Sequence, residues 1–156
     1  MKLEKNKIIK IAIIISSILV VAVLGSIFVN LGMDWYATLN KPSQWVPNVL
    51  IPIMWTIIYI TFAIILSIWE IKGEIPNKII ALLIVNGILN ILWCLFFFTL
   101  NLTLIGNISI ILLLISSIIL FNEMLKLKPL YAYICAIYPI WVCIATTLNT
   151  AIWILN

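Results

Sequence analysis

Five long apolar segments, separated by short polar breaks, constrain this chain more than any other feature. They cover residues 8–29, 49–69, 78–98, 104–125 and 130–155. A helix needs about 20 apolar residues to cross a bilayer, and each segment reaches that length. Because only helices and closed barrels satisfy their backbone hydrogen bonds within lipid, the sequence predicts an all-α integral membrane protein. We expect one five-helix membrane domain over residues 1–156.

The composition excludes several other classes of protein. The chain is 65% hydrophobic and 9% charged, whereas soluble domains are about 25% charged, so no room remains for a soluble domain. The net charge of +4 does not indicate nucleic-acid binding, because all nine cations are Lys in spacers beside apolar runs. The chain has no His, and its three Cys lack paired ligand spacing. It therefore predicts no metal site and no cofactor.

Lysine positions predict the orientation in the membrane. With a cytoplasmic N-terminus, only Lys41 lies outside, which is a strong positive-inside bias. The C-terminus and the loop over 30–48 are then external. The first apolar run is longer than a signal-peptide core and has no clear cleavage site, so we expect it to be retained. High Ile, Lys and Asn usage favours a bacterial plasma membrane. The lysines assigned to the inside are Lys2, Lys5, Lys7, Lys10, Lys72, Lys78, Lys126 and Lys128.

Aromatic and amide side chains recur at helical spacing in three of the segments. Residues spaced by three and four positions share one helical face, and an amide in lipid should face the bundle interior. Aromatic walls with a few polar groups suit a flat apolar ligand, so the stripes predict a lined cavity. The stripes are Trp55, Tyr59, Phe62 and Leu66 in the second segment, Asn86, Asn90, Trp93 and Phe97 in the third, and Trp141, Ala145, Leu148 and Asn149 in the fifth.

Two other interpretations of these residues remain open. Tryptophans gather in belts at the membrane surface, and we assign Trp35, Trp45, Trp69 and Trp153 to such a belt because they lie near segment ends. Asn can also simply join helices through hydrogen bonds. No acidic or basic residue lies in the middle of a segment, which argues against a pump driven by protons or ions.

The loop over 30–48 has the features of an ordered lid. Asp34 can cap a short helix, Pro42 stops it, and Pro47 stiffens the return to the second segment. The apolar side chains of Trp35, Tyr36, Leu39 and Trp45 need burial, and a pocket mouth would supply it. The alternative is a loop lying flat among the lipid headgroups.

Three motifs in this order resemble one known family. They are "WYATLNKPS" at 35–43 with "MWTIIY" at 54–59, "NGILNILWCLFFF" at 86–98, and "WVCIATTLNTAIW" at 141–153. Jointly they resemble the translocator protein, or tryptophan-rich sensory protein, family, also called the peripheral benzodiazepine receptor. The chain departs from the family pattern in its "SQWVP" and "IYPIW" runs, where prolines are missing or displaced.

The resemblance implies a membrane receptor or sensor in which the first loop covers a pocket. The implied ligands are porphyrins such as protoporphyrin IX and isoquinoline-carboxamide or benzodiazepine-type compounds. It also implies a homodimer, for which the small-residue pairs Ala22/Ser26 and Ala132/Ala136 would permit close helix contact. The ligand-binding residues that it implies are Tyr36, Trp55, Tyr59, Asn90, Trp93, Phe97, Trp141, Ala145 and Leu148.

The only catalytic activity that the resemblance implies is light-dependent porphyrin breakdown, for which it implicates Trp55 and Trp141. The end of the fifth segment, "LNTAIWILN", has neither Tyr nor Lys, so we do not predict sterol binding. Two further functions stay open at this point. One is transport of a porphyrin or another small molecule, and the other is structural support of partner membrane proteins.

Overall fold

The predicted five-helix membrane bundle is confirmed by a computed structural model, which describes residues 5–42, 46–47 and 49–156. The first, second and fourth spans are single helices, the third ends in a π-helical turn, and the fifth is built from two helices. In chain order the helices are α1 (Lys5–Leu31), α2 (Met33–Thr38), α3 (Leu50–Lys72), α4 (Asn77–Cys94), α5 (Thr103–Leu127), α6 (Pro129–Cys135) and α7 (Ile137–Leu155).

The fifth span is interrupted at Ala136, where α6 meets α7, although a continuous apolar segment was expected there. Pro139 has no N–H to bond the carbonyl of Cys135, so a continuous α-helix cannot run through this point. The chain instead breaks at Ala136, and Pro139 falls in the first turn of α7, where a missing N–H costs little. Tyr138 thus lies in the first turn of α7.

A π-helical turn over Leu95–Thr99 ends the third span. The backbone N–H of Leu100 bonds the carbonyl of Leu95 at 2.9 Å, one residue further back than in an α-helix. Asn101 then takes a left-handed conformation with φ of 58°, which Asn tolerates better than most residues. The widened turn presents Phe97 and Phe98 to the lid.

The five spans form a closed ring in which each span packs on two neighbours. α1 packs on α3 and α4, α5 packs on α4 and on α6 and α7, and α3 completes the ring against α6 and α7. Within the described part of the chain, the backbones of α3 and α4 do not pack on each other. The interior of the ring therefore lies between α3, α4 and α7.

Ion pairs gather at one end of the bundle, which we call the lysine-rich end. The ammonium of Lys10 lies 3.3 Å from the Glu70 carboxylate and 2.9 Å from that of Glu74. Glu70 is buried, so this pairing supplies the partner that a buried charge requires. On the opposite side of this end, Lys78 lies 2.7 Å from Glu123.

The first loop folds back over the other end of the bundle, which we call the lid end. Its helix α2 begins after Gly32, so the expectation that Asp34 caps it was wrong: Asp34 lies within the first turn and makes no capping hydrogen bond. Gly32 occupies the N-cap position instead, because the backbone at this position lies too close to the π-helical turn for a side chain to fit. A Cβ at Gly32 would lie 2.0 Å from the carbonyl oxygen of Phe98.

Two side chains differ from their expected surroundings. Trp69 was assigned to an interfacial belt, but it is 2% exposed and its ring lies 5.8 Å from that of Tyr131. The assignment failed because α6 begins beside the end of α3 and covers this face. Ala132 is fully buried inside the bundle, so the Ala132/Ala136 pair is not available to a second copy. Trp153 is exposed, as a belt residue should be.

Candidate ligand-binding site

Side chains, rather than backbone packing, connect α3 to α4 across the middle of the bundle. The rings of Trp55 and Trp93 lie 5.8 Å apart, and Trp55 stacks on Tyr59 of its own helix at 5.9 Å. The Tyr59 hydroxyl donates a hydrogen bond to Oδ1 of Asn90 at 3.3 Å. Four of the residues predicted from the sequence thus meet in one cluster.

The α4 stripe is buried along its whole length. Asn86, Asn90, Trp93 and Phe97 each have less than a tenth of their surface exposed. The apolar side chains on this stripe gain packing contacts rather than hydrophobic free energy, because lipid is as apolar as the bundle interior, and the amides find partners on other helices. Gly25 of α1 faces this stripe, and a Cβ there would make ordinary van der Waals contacts at 3.8 Å from Oδ1 of Asn90 and 3.6 Å from Sγ of Cys94.

The fifth span contributes a residue that the sequence-based set lacks. Tyr138 packs edge-on against Trp55 at 6.3 Å and against Phe62 at 5.5 Å. Its hydroxyl donates to Oδ1 of Asn86, the other amide of the α4 stripe. Tyr138 could have been found from spacing, because it precedes Trp141 by three positions and so shares its helical face.

The remaining predicted residues of the fifth span lie further along α7. Trp141 and Leu148 are buried, and Ala145 between them is half-buried. Among the described residues, the Trp141 ring does not stack with Trp55 or Trp93, and its indole N–H has no hydrogen-bond partner. The structure thus brings α3 and α4 together at the cluster, while this part of α7 forms an adjoining wall.

Asn149 is a second residue that the predicted site did not include. It is buried on α7, and its Oδ1 accepts a hydrogen bond from Nε1 of Trp93 at 3.1 Å. This bond ties the α7 wall to the aromatic cluster. Asn149 lies on the stripe predicted for the fifth segment, but its distance from Trp141 along the chain gave no sign that it would meet Trp93.

The lid contacts the cluster through Phe97 and Phe98. Trp35 packs edge-on against Phe97 at 5.7 Å, and Tyr36 lies 5.5 Å from Phe98. The ammonium of Lys41 sits 4.4 Å from the centre of the Tyr36 ring, a favourable cation–π distance. Trp45, also expected in the lid, falls outside the described residues.

A pair of hydrogen bonds holds the loop to the end of α7. The Asn40 backbone N–H donates to Oδ1 of Asn156, and Nδ2 of Asn156 donates back to the Asn40 carbonyl, each at 2.9 Å. The side-chain amide thus pairs with a peptide group as a neighbouring strand would. It fixes the loop over the lid end.

A family model described as the TspO/MBR family matches residues 13–154. The chain belongs to this family. Its tryptophan- and amide-rich stripes lie within the matched range, as do the lid and the π-helical turn.

Three curated proteins are similar to this chain over most of their length. The tryptophan-rich protein TspO of Archaeoglobus fulgidus is 32% identical, over 96% of this chain and 98% of that protein. The protein of the same name from Chlorobaculum tepidum is 31% identical, over 97% and 98%. Protein CrtK of Rhodobacter capsulatus is 31% identical over 78% of each chain. The TspO/MBR assignment therefore covers the complete five-span bundle.

Proposed function

We propose that this TspO/MBR membrane protein is a receptor or sensor that binds flat apolar molecules, porphyrins above all, between α3, α4 and α7. One observation carries the proposal: the space between the α3 and α4 backbones is spanned by Trp55, Tyr59, Trp93 and Asn90 rather than by helix packing. Such a seam can part without breaking a backbone contact. Its walls offer π-faces and a few polar groups, which a porphyrin or an isoquinoline-carboxamide can use.

Ligand entry requires the aromatic side chains to move, because their rings contact one another in this conformation. Trp55 and Tyr59 are only half-buried, so they can turn outward at lower cost than the fully packed Phe97. The contacts that Tyr36 makes across the lid end would then close over the ligand. Each aromatic pair lost is worth about 0.5–1.5 kcal/mol, and stacking on the ligand restores a similar amount.

The experiment that tests this proposal is a titration of protoporphyrin IX into the detergent-solubilised protein, followed by quenching of Trp fluorescence. Ala145→Phe enlarges a half-buried side chain on the α7 wall and should abolish binding while the protein stays folded. Cys143→Phe is the matched control, because Cys143 is exposed on the same helix two positions away. Equal dissociation constants for wild type and Ala145→Phe would reject the site.

The same titration bears on the alternative functions. A transporter would bind the porphyrin in this site and also move it across vesicle membranes, whereas a structural partner protein would not bind it. Light- and oxygen-dependent porphyrin breakdown, in which the family resemblance implicates Trp55 and Trp141, extends the receptor hypothesis, with dioxygen as the oxidant.

We place the protein in a bacterial plasma membrane with a cytoplasmic N-terminus and an external C-terminus. The ion pairs of Lys10 and Lys78 lie at the end assigned to the cytoplasm, and Lys41 lies in the loop assigned to the outside. We also propose a homodimer. Since Ala132 is buried, a small-residue contact between copies would have to use the Ala22/Ser26 pair on α1, where Ser26 is exposed.

A further inference from the structure

The orientation of the Asn149 side chain follows from its one hydrogen bond. The indole nitrogen of Trp93 can only donate, so the atom of Asn149 that faces it at 3.1 Å must be the carbonyl oxygen. The amide NH₂ group of Asn149 therefore points elsewhere. Its direction is set by chemistry and does not depend on how the two ends of the amide were assigned.

That NH₂ group is buried without an acceptor among the described residues. Asn149 is 4% exposed, and buried donors in proteins are nearly always paired. In a membrane bundle the surrounding lipid offers no replacement for water. The NH₂ group of Asn149, which lies beside the aromatic seam, is therefore free to donate a hydrogen bond to an acceptor on a ligand.

On the same helix, the indole N–H of Trp141 is a second buried donor that has no partner in the part of the chain that the structure describes. Eight positions separate it from Asn149, which corresponds to about 12 Å along a helix. The two groups cannot grip one small acceptor together. Asn149 is the better placed of the two, because it is bonded to Trp93, whose ring lies in the cluster with Trp55.

We propose that Asn149 selects ligands that carry an oxygen acceptor, a carboxylate or a carbonyl, on a flat apolar body. The ring system lies against Trp55 and Trp93, and the Asn149 NH₂ donates to the oxygen. A carboxylate is favoured, since hydrogen bonds to an ionised acceptor are roughly twice as strong as those between neutral groups. This selectivity rests on the proposed function and adds the ligand group that the site recognises.

The test compares two porphyrins in the same fluorescence titration: protoporphyrin IX, which has two carboxylates, and octaethylporphyrin, which has no oxygen. Wild type should bind protoporphyrin IX about tenfold more tightly or better. Asn149→Leu removes the NH₂ donor and puts an apolar side chain of similar size in its place. It should remove that preference, because the affinity for protoporphyrin IX should fall more than the affinity for octaethylporphyrin, which has no oxygen to bond.

Asn107→Leu is the matched control. Asn107 is a buried amide on α5 whose Oδ1 accepts from the Thr150 hydroxyl at 2.8 Å, whereas Trp93 bonds Asn149. This variant should retain the wild-type preference between the two porphyrins. A loss of preference in both variants would show a general effect of removing a buried amide and would overturn the role of Asn149.

The outcomes separate the inference from the proposed function. If wild type binds the two porphyrins equally well, the selectivity is overturned while the aromatic site stands. If wild type binds neither, the proposed function fails and the selectivity fails with it. Because the wild-type comparison alone can overturn the inference, a variant that does not fold leaves the test intact.

Discussion

The hydroxyl of Tyr138 on α7 donates a hydrogen bond to the side-chain carbonyl of Asn86 on α4, in the middle of the bundle. The same amide donates from Nδ2 to the Ser116 hydroxyl on α5 at 3.1 Å. One asparagine thus joins three of the five spans. All three residues are buried, so none of these bonds competes with water.

Removing the Tyr138 hydroxyl should therefore weaken the bundle. Tyr138→Phe keeps the ring against Trp55 and Phe62 but leaves Oδ1 of Asn86 without its donor. Since hydrogen bonds between membrane helices contribute about 0.6–1.7 kcal/mol, we expect the free energy of unfolding to fall by about 1 kcal/mol. Denaturant unfolding in detergent measures it, and Tyr133→Phe, at an exposed position, is the control. Equal losses in both variants would contradict the prediction.

Trp141→Phe should separate binding from photochemistry. The indole N–H of Trp141 has no partner among the described residues, so Phe strands no acceptor and the fold should hold. Protoporphyrin IX affinity should fall only modestly, since an aromatic wall remains. Light-driven breakdown in air should fall much further, because Phe is far harder to oxidise than indole.

The measurement for Trp141 is porphyrin absorbance under illumination, beside the dissociation constant from fluorescence. Trp153→Phe, on the exposed face of the same helix, should change neither quantity. A Trp141→Phe variant that degrades porphyrin as fast as wild type would remove Trp141 from the photochemical proposal.

Gly32→Ala should dislodge the lid. A Cβ at this position would meet the carbonyl oxygen of Phe98 at 2.0 Å, and backbone cannot turn aside as a flexible side chain can. We expect a stability loss of about 1–3 kcal/mol, as for other overpacked sites, and faster proteolysis of the first loop. Gly73→Ala is the control, because nothing lies within 4 Å of its added Cβ and its backbone is extended. Protease resistance equal to wild type would show that the corner can adapt.

The proposed orientation can be tested at the two ends of the fifth span. In a variant without native Cys, Leu155→Cys should react with a membrane-impermeant maleimide in intact cells. Lys128→Cys, at the start of the same span, should react only after lysis. The reverse labelling pattern would show that the protein has the opposite orientation in the membrane, with the lid on the cytoplasmic side.

The pairing of Glu74 with Lys10 predicts a specific pH dependence of the stability of the protein. The Lys10 ammonium, which donates a hydrogen bond to Glu74 at 2.9 Å, holds the pKa of this carboxyl below its ordinary value. The contribution of the pair to stability is therefore complete above the unfolded carboxyl pKa of about 4.3 and is lost as the pH falls through the lower folded pKa. Lys10→Met should return the pKa of Glu74 to its ordinary range in an NMR titration. A titration unchanged from wild type would mean that another group lowers it, and Lys5→Met is the matched control.

Apolar length and residue spacing predict much of this molecule, because both are local properties of the chain. The five-span bundle follows from segment length, and the spacing of Asn86, Asn90, Trp93 and Phe97 follows from helical geometry. The ring order of the spans does not, since all five are similarly apolar on most faces. The π-helical turn and the pairing of Trp93 with Asn149 depend on tertiary contacts, which no pattern within one segment encodes.

The lid shows the same limit at closer range. Asp34 has a good side chain for capping a helix, but the close approach of Gly32 to Phe98 decides where α2 begins. Likewise, Pro139 marks a break in the fifth span, yet only the fold shows that the break brings Tyr138 to Trp55. At Asp34, tertiary packing outweighed the local capping preference. At Pro139, the local break was predictable, but its structural role depended on tertiary packing.

The seam between α3 and α4 has a consequence for the range of molecules that the protein can accept. Its width is set by the rotamers of Trp55, Tyr59 and Trp93, and the half-buried rings of Trp55 and Tyr59 can change rotamer without moving a helix. Under the proposed function, every ligand must first break the same ring contacts, an entry cost that does not depend on the size of the ligand. Small fragments recover little of that cost, while large planar molecules recover most of it. The affinity of the protein for its ligands should therefore rise with the planar area of the ligand, even across unrelated chemical series.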